Sequence, residues 1–387
     1  MVKAIKVMLI PNNVQETKMF EYAGASRFAY NWALAREKEN YEKGGRFISD
    51  SELRKEFTKL RHSDEYAWLL NISNNVTKQA IKDACNAYKN FFKGLKKIPR
   101  FKSRKRSMPK FYQDNVKIQF SNTHVKLEGF SSSRKANKQK LNWVRLAEHG
   151  RISTDAKYMN PRISFDGLNW WISVCVEFPD CKEILNDDGV GIDLGIKDLA
   201  VCSDAVKYKN INKSQKVKKL EKQKRRLQRS ISRSYEKNKK GESYCKTNNV
   251  IKKEKLLLKR NHRLTNIRKN YLNQTISEIV NRKPRFICIE DLNVSGMMKN
   301  RHLSKAVQEQ GFFWFRKQLE YKCSDKGIQL IVVDRFYPSS KLCSCCGNIK
   351  KDLKLSDRVY RCACGNIIDR DFQASINLKG YGERFAS

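Results

Sequence analysis

Three carboxylates in the 387-residue chain stand where chemistry could be done. The first is Asp193, in Gly189-Val-Gly-Ile-Asp-Leu-Gly-Ile-Lys-Asp-Leu-Ala200. There Val190, Ile192, Leu194 and Ile196 alternate with their neighbours, the period of a strand. A carboxylate inside an apolar strand is unfavourable unless a partner or a metal neutralises it. Gly191 and Gly195 leave room beside it for a ligand or another backbone. An Asp at a strand end also serves as a turn residue, so this stretch alone defines no site. Two later stretches add to it. Arg285-Phe-Ile-Cys-Ile-Glu-Asp-Leu-Asn293 is a second apolar strand, ending at Glu290. Asp369-Arg-Asp-Phe-Gln-Ala-Ser-Ile-Asn377 puts Asp371 at the start of a short helical segment. Three carboxylates at the edges of apolar elements are what a divalent-metal phosphodiester site needs. Hard oxygen ligands suit magnesium, and two ions about 3.5–4 Å apart can stabilise both the attacking and the leaving oxygen.

Thiolates form the second candidate site. Of 12 cysteines, Cys85, Cys175, Cys202 and Cys288 are scattered singly in apolar runs and read as small buried hydrophobes. Five others crowd together in Cys343-Ser-Cys-Cys346-Gly and Cys362-Ala-Cys364-Gly. Cys343-x-x-Cys346 is a zinc half-site, and the interval to Cys362 is of the usual size. The second half is one residue short. No His lies nearby, so four thiolates (Cys343, Cys346, Cys362 and Cys364) make a closed, structural zinc site, with Cys345 spare or an alternative ligand.

The elements that carry these groups belong to a strongly basic chain. There are 80 Lys and Arg against 40 Asp and Glu, a formal charge of +40. A polyanion such as nucleic acid is the natural counter-charge, with affinity that falls with salt. No hydrophobic stretch approaches the ~20 residues of a spanning helix, and Met1–Asn13 lacks a signal-peptide core. A cytoplasmic protein without membrane contact is expected.

Along the chain, Val2–Ile10 reads as a strand ended by Pro11-Asn12-Asn13. Residues 14–94 read as helices, with Val76, Ala80, Ala84, Ala87 and Phe91 on one face. The polar face carrying Lys78 and Gln79 is either solvated or suited to a nucleic-acid groove, where Gln can pair with adenine. Lys96–Arg106 is a basic run holding Arg100, Lys102 and Arg104, broken by Pro99, and is expected to meet backbone phosphates. Residues 116–178 turn to strand patterns, including 116–120, 124–127, 141–146, 162–165 and 170–178. A small β-barrel is expected, with Val2–Ile10 as one strand, the helices inserted, and 179–188 as a linker. Residues 213–240 hold 13 Lys or Arg against two Glu, Lys222, Arg225 and Arg226 among them, along a narrow apolar stripe. With a second helix at 250–280 they suggest a basic hairpin facing a nucleic-acid backbone. A helix and a strand follow between 311 and 334.

The order strand-Asp, strand-Glu, helix-Asp resembles an RNase H/RuvC-like nuclease. Four stretches together resemble the transposon-associated TnpB proteins: Gly191-Ile-Asp-Leu-Gly195, Ile289-Glu-Asp-Leu292, Pro338-Ser-Ser-Lys-Leu-Cys-Ser-Cys-Cys-Gly347 and Asp369–Asn377. Arg27-Phe-Ala-Tyr-Asn-Trp32 and Ile98-Pro-Arg-Phe-Lys-Ser103 resemble N-terminal motifs of the same family. Gln373 and Ser375 depart from its usual Asn and Ala. The resemblance implies an α/β multidomain RNA-guided DNA endonuclease related to type V CRISPR effectors. Its wedge β-barrel would be 1–13 and 95–182, and its helical recognition domain 14–94. A RuvC-like nuclease domain would span 183–387, with a helical insertion at about 207–282 and a zinc-finger insertion at about 339–367. It implies Asp193, Glu290 and Asp371 as catalytic ligands of two magnesium ions, and Cys343, Cys346, Cys362 and Cys364 as ligands of one zinc. Gln79 and Lys78 would read a short duplex motif beside the target. Guide RNA and target double-stranded DNA are the implied partners of a monomer. A nuclease-inactive RNA-guided repressor, a strand-joining transposase and a CRISPR-associated effector of the same lineage are the alternatives.

Overall fold

The computed structural model describes residues 2–130, 141–179, 183–354 and 357–386. Part of the expected linker, 180–182, lies outside them. Contacts divide the chain into two compact units, Met1–Pro179 and Asp180–Ser387.

The first unit is a sheet with helices inserted after its first strand. Strand β1 (Val2–Ile10) leads into α1 (Asn13–Glu42), α2 (Asp50–Arg61) and α3 (Asn74–Phe92). The chain then returns as β2 (Lys110–Tyr112), β3 (Gln119–Phe120), β4 (His124–Lys126), β5 (Trp143–Leu146), β6 (Tyr158–Phe165) and β7 (Trp170–Glu177). The seven strands are ordered β2-β6-β7-β1-β5-β4-β3. Strand β1 is therefore central, paired antiparallel with β7 from Val2↔Glu177 to Leu9↔Trp170 and with β5 at Leu9↔Leu146. Among the described residues no β2–β3 pair closes this ladder into the expected barrel; β2 and β3 are its two ends.

Local chemistry explains the boundaries. Asn12 and Gln15 form a capping box that starts α1. Gln15 Nε2 also donates to the carbonyls of Leu141 and Trp143 at 3.0 and 2.9 Å, fixing the helix start to the sheet. The expected strand at 116–120 shrinks to Gln119–Phe120, because Asp114 Oδ1 accepts from the backbone N–H of Val116 and Lys117 and makes a turn. Within β6, Pro161 has no N–H to give, and the register with β7 shifts between Met159 and Arg162.

The second unit holds a five-stranded sheet. Strands β8 (Val190–Leu194), β9 (Asp198–Cys202) and β10 (Lys207–Lys209) form an antiparallel meander. The chain turns at Gly195–Lys197, so the apolar alternation through Ile196 spans a strand and a turn rather than one strand. The basic hairpin follows: α4 (Gln215–Lys237), the small strands β11 (Lys239–Lys240) and β12 (Ser243–Tyr244), and α5 (Asn248–Asn281). Strand β13 (Phe286–Glu290), short helices α6 (Val294–Lys299) and α7 (Ser304–Gln310), helix α8 (Phe312–Lys326) and β14 (Gln329–Val333) come next. Strands β15 (Val359–Arg361) and β16 (Ile367–Asp369) precede the last helix, α9 (Arg370–Phe385). The order is β10-β9-β8-β13-β14, with β13 parallel to both β8 and β14.

Both faces of this sheet are covered, which is why Phe286-Ile-Cys-Ile289 is continuously apolar. Ile287 and Ile289 pack with Ile192, Leu194, Ile276 and Phe315 on the α5/α8 face. Phe286 and Cys288 pack with Leu378 of α9 on the other. Helix α9 crosses β8 at Gly191, where an added Cβ would lie 2.1 Å from the Ser375 carbonyl oxygen and 2.4 Å from the Lys379 nitrogen. The open space left by Gly191 is thus filled by a helix backbone.

Replacing Gly191 by Ala should therefore destabilise this unit by about 3 kcal/mol or more, because backbone cannot yield as a side chain can. Gly380, also in α9, has nothing within 4 Å of an added Cβ. Gly380→Ala should stabilise by about 1 kcal/mol. Thermal denaturation of the two variants separates close approach from general glycine effects.

Candidate functional site

Side-chain parity brings two of the three carboxylates to one face. In β13 the residues alternate, so Glu290 points to the side of Phe286 and Cys288, the α9 side. In β8, Asp193 shares the side of Gly191, which touches α9. The parallel register pairs Ile289 with Ile192, so Glu290 and Asp193 are next to one another at the carboxyl ends of adjacent strands. Asp371 lies in the first turn of α9. Asp369 is the cap of that helix: its side chain accepts from the N–H of Asp371 at 3.1 Å and of Phe372 at 3.0 Å. It also receives Lys207 Nζ at 3.4 Å. That engagement leaves Asp371 as the less engaged member of the pair; among the described residues Arg370 Nη2 lies 3.5 Å from its Oδ1.

The electrostatics record the convergence. Burial, then the charges of Glu290 and Asp371, hold the Asp193 carboxyl well above the usual carboxylate range; Asp369 adds to this and Arg370 opposes it. Glu290 is also raised by burial, against a hydrogen bond from the Ser339 hydroxyl. Its neighbour Asp291 is the opposite case. Arg316 and Arg335 each reach it at 2.6 Å and hold it below the usual range. The sequence Glu290-Asp291 thus divides into a carboxyl raised by burial and one tied into ion pairs.

The cysteines form the tightest potential metal centre. Among the described residues, Cys343, Cys346, Cys362 and Cys364 bring their sulfur atoms within 4.8 Å of one another. Burial opposes ionisation of Cys343, but N–H groups of Cys346 and Cys345 and the Asn366 side chain outweigh it, bringing this thiol down to about 6. A ready thiolate in a four-sulfur set fits a tetrahedral metal such as zinc. Cys345 is exposed and outside the set.

The two centres share a loop that the sequence reading left without a role. Asn377 Nδ2 donates to the carbonyls of Ser339 and Leu342, both at 2.7 Å. Gln373 Nε2 donates to Leu342 O at 2.7 Å, and its Oε1 accepts from Ser344 at 3.0 Å and Asn366 at 3.3 Å. Asn366 Nδ2 lies 3.4 Å from Cys343 Sγ. Gln373 and Asn377 are buried, so these bonds are shielded from water. Ser339, Gln373 and Asn377 all lie inside stretches already singled out. Only the fold reveals that one polar face of α9 carries both the thiolate loop and the hydroxyl on Glu290.

The proposed nucleic-acid contacts fare unequally. Lys78, Arg100, Arg104, Lys222, Arg225 and Arg226 are exposed. Gln79 is half-buried and donates to Asp83 at 2.9 Å, and Asp83 is also held by Arg162. Lys102 is half-buried with Nζ 3.1 Å from the Tyr30 ring centroid, and burial pushes its ammonium down to about 8, with Lys110 adding. These two residues have internal partners to release before they could touch a ligand.

Raised carboxylate pKa values mean that the folded protein binds protons the unfolded chain does not. The stability contributed by Asp193 and Glu290 is present below the ordinary carboxylate range and is lost as pH rises through their raised values. In metal-free buffer near pH 7.5, Asp193→Asn should therefore melt above the wild type, by about 2–4 °C per kcal/mol of repulsion removed. An unchanged or lower melting temperature would contradict the repulsion. At the thiolate centre, elemental analysis should find one metal equivalent per chain, and Cys346→Ser, at an exposed position, should lose it.

Comparison with known proteins bears on the family. Family models match residues 173–301 ("Probable transposase"), 312–378 ("Cas12f1-like, TNB domain") and 1–46 ("Helix-turn-helix domain"). In the last span the structure has β1 and the single helix α1. "Putative RNA-guided DNA endonuclease InsQ" of Escherichia coli K12 is 30% identical over 377 residues, 93% of this chain and 87% of that protein. "TnpB-like protein L79" of Acanthamoeba polyphaga mimivirus is 33% identical over 144 residues, 35% of this chain and 27% of that one. A cryo-EM structure of a Cas12f1–sgRNA–target DNA complex contains a chain of the same fold, with a TM-score of 0.61 at 12% identity over 98% of both chains. At 30% identity to the Escherichia coli protein over 93% of its length, the chain belongs to the TnpB family.

Proposed function

We propose that the protein is an RNA-guided DNA endonuclease whose nuclease domain, residues 183–387, is RuvC-like. The observation that carries this reading is the convergence of Asp193, Glu290 and Asp371 from stretches 81 residues apart or more. Uncompensated, such a group destabilises the fold; an all-oxygen set under mutual repulsion suits magnesium. Two magnesium ions held by Asp193, Glu290 and Asp371 would supply a nucleophilic water and stabilisation of the leaving oxygen. Within the chain, Ser339 fixes one oxygen of Glu290 and so orients the carboxylate. Arg316 and Arg335 keep Asp291 out of the group. The meander strands β8–β10 joined to parallel β13 and β14, with α9 across them, support the RNase H-like assignment.

The remaining parts take roles from their charge. The exposed lysines and arginines of α4, including Lys222, Arg225 and Arg226, suit a nucleic-acid backbone. The sheet of residues 1–13 and 95–182 is the proposed wedge, and residues 14–94 the proposed recognition part. Guide pairing would read the target, while the protein reads a short adjacent motif. Lys78 is the more accessible candidate for that motif, Gln79 being engaged by Asp83. The four cysteines would hold a structural zinc ion that shapes the 338–344 loop against α9.

Cleavage of a plasmid carrying a target that matches the copurified RNA tests this. The wild type should cut it with magnesium. Asp193→Ala should retain guide and target but lose cleavage by at least about two orders of magnitude, since metal-assisted steps supply several kcal/mol. Retained cleavage in that variant would remove Asp193 from the mechanism.

A further inference from the structure

The first unit contains a cleft that the nuclease chemistry does not use. The last turns of α1 and α3 and the loop between α1 and α2 enclose 330 Å³, within the roughly 300–1,000 Å³ of ligand sites. Its walls are aromatic. Tyr88 and Phe92 stack at 6.0 Å with 23° between their planes, and Phe47 meets Phe92 edge-on at 6.0 Å. Phe92 is 56% exposed, which is unusual for a ring with so many aromatic neighbours.

Glu37 lines the same cleft although it is only 4% exposed. Its Oε2 accepts from the backbone N–H of Ile48 at 3.3 Å. Its Oε1 is buried without a hydrogen-bond partner. A buried carboxylate oxygen calls for a donor, and the residue that carries it borders a space large enough to hold one. Burial raises Glu37 to about 6, so above that pH it accepts rather than donates.

The rim selects the kind of ligand. Lys38 lines the cleft in an ion pair with Glu42 at 3.6 Å, Lys89 Nζ lies 5.7 Å from the Phe47 ring, and Lys93, Lys96 and Lys97 follow on the exposed chain, so cations outnumber the one acid. These charges repel a free organic cation, the other partner that an aromatic cage with a carboxylate would suit. A second copy of the chain would bring +40 against +40. A flat ring that donates N–H at its edge and is joined to anionic groups meets all three demands.

We propose that this cleft is a base-binding site. It takes an unpaired amino-bearing nucleobase from a single-stranded segment, the ring against Tyr88 and Phe92, the exocyclic amine donating to the Glu37 carboxylate once that side chain turns toward the cleft, and the adjoining phosphates on the lysine rim. Aromatic stacking tolerates any base, whereas the carboxylate discriminates: the amine of cytosine is a donor, and the oxygen at the same position of uracil faces Glu37 as a second acceptor. The inference rests on the proposed function only in taking nucleic acid as the partner, and its test involves no cleavage.

The experiment compares 12-nucleotide oligomers of C and of U on the full chain, freed of RNA, at pH 7.5 and one fixed salt concentration, by fluorescence anisotropy. Phosphate contacts are the same for both oligomers, so the ratio of affinities isolates the base. C should bind at least about fivefold more tightly than U. Glu37→Gln, whose amide can serve either base, should bring the ratio near one. Phe92→Ser, at an exposed position, should weaken both oligomers by about fivefold or more. Ribose and deoxyribose series separate a guide segment from a displaced DNA strand, since the preference should appear in the series that supplies the ligand. Equal affinity for C and U in both series, or an unchanged ratio in Glu37→Gln, would overturn the proposal. If Glu37→Gln fails to fold by circular dichroism, Phe92→Ser decides alone. Undiminished oligomer binding by Phe92→Ser, with self-association abolished in sedimentation, would make the cleft a protein interface instead.

Discussion

The contact on which the second unit depends is the crossing of α9 over β8 at Gly191. A residue with any side chain there would collide with backbone, so only glycine lets the helix cross this close to the strand. That crossing decides where the first turn of α9 lies, and hence where Asp371 stands relative to Asp193. The sheet does the rest, since strand parity turns Asp193 and Glu290 to the same side. An arrangement that burial and like charge both oppose is thus imposed by packing elsewhere: Ile192, Ile287, Ile289 and Phe315 on one face, and Phe286 and Leu378 on the other. Strain at a site that the surrounding structure over-determines is a common mark of function.

The same helix couples the carboxylates to the thiolates. Gln373 and Asn377 give α9 a buried polar face, and every bond it makes goes to the loop between Ser339 and Ser344 or to Asn366. A structural metal at Cys343 would therefore stiffen the loop that ends in the Ser339 hydroxyl on Glu290. The two departures from the usual last motif of the family, Gln373 and Ser375, can be judged in this light. Gln373 keeps an amide that both donates and accepts. The Ser375 hydroxyl turns back to the Phe372 carbonyl at 2.7 Å and asks nothing of its surroundings.

Part of the basic charge is taken up in ion pairs within the fold, as at Arg162, Arg316 and Arg335. Arg268 is another case, held by Glu221 and Glu309 at 3.1 and 3.2 Å. It fastens α5 to α4 and to α7, while Lys222, Arg225 and Arg226 on α4 remain exposed. Charges that serve the fold and charges left for a polyanion are separated by helix face, as the narrow apolar stripe of α4 requires: Val217 and Leu220 pack on Leu264, and the opposite face stays in water.

Much was legible in the residues alone, because it depends on neighbours in the chain. The strand at Val2–Ile10, the basic helices and the thiolate spacing follow from periodicity and ligand chemistry, and the structure has them close to where the sequence puts them. What lay beyond it depends on neighbours in space. The turn after Leu194 was hidden because Ile196 continues the apolar alternation. The engagement of Gln79 by Asp83, and of Lys102 by Tyr30, joins residues that no local pattern connects. Glu37 looks like any acid on a helix until the fold buries it beneath aromatic rings. The sequence by itself determined which groups could ionise, bind metal or meet a phosphate, since that is a property of side-chain chemistry. Only the tertiary structure decided which of them face one another without a partner, because burial and mutual repulsion exist only once distant segments are packed together.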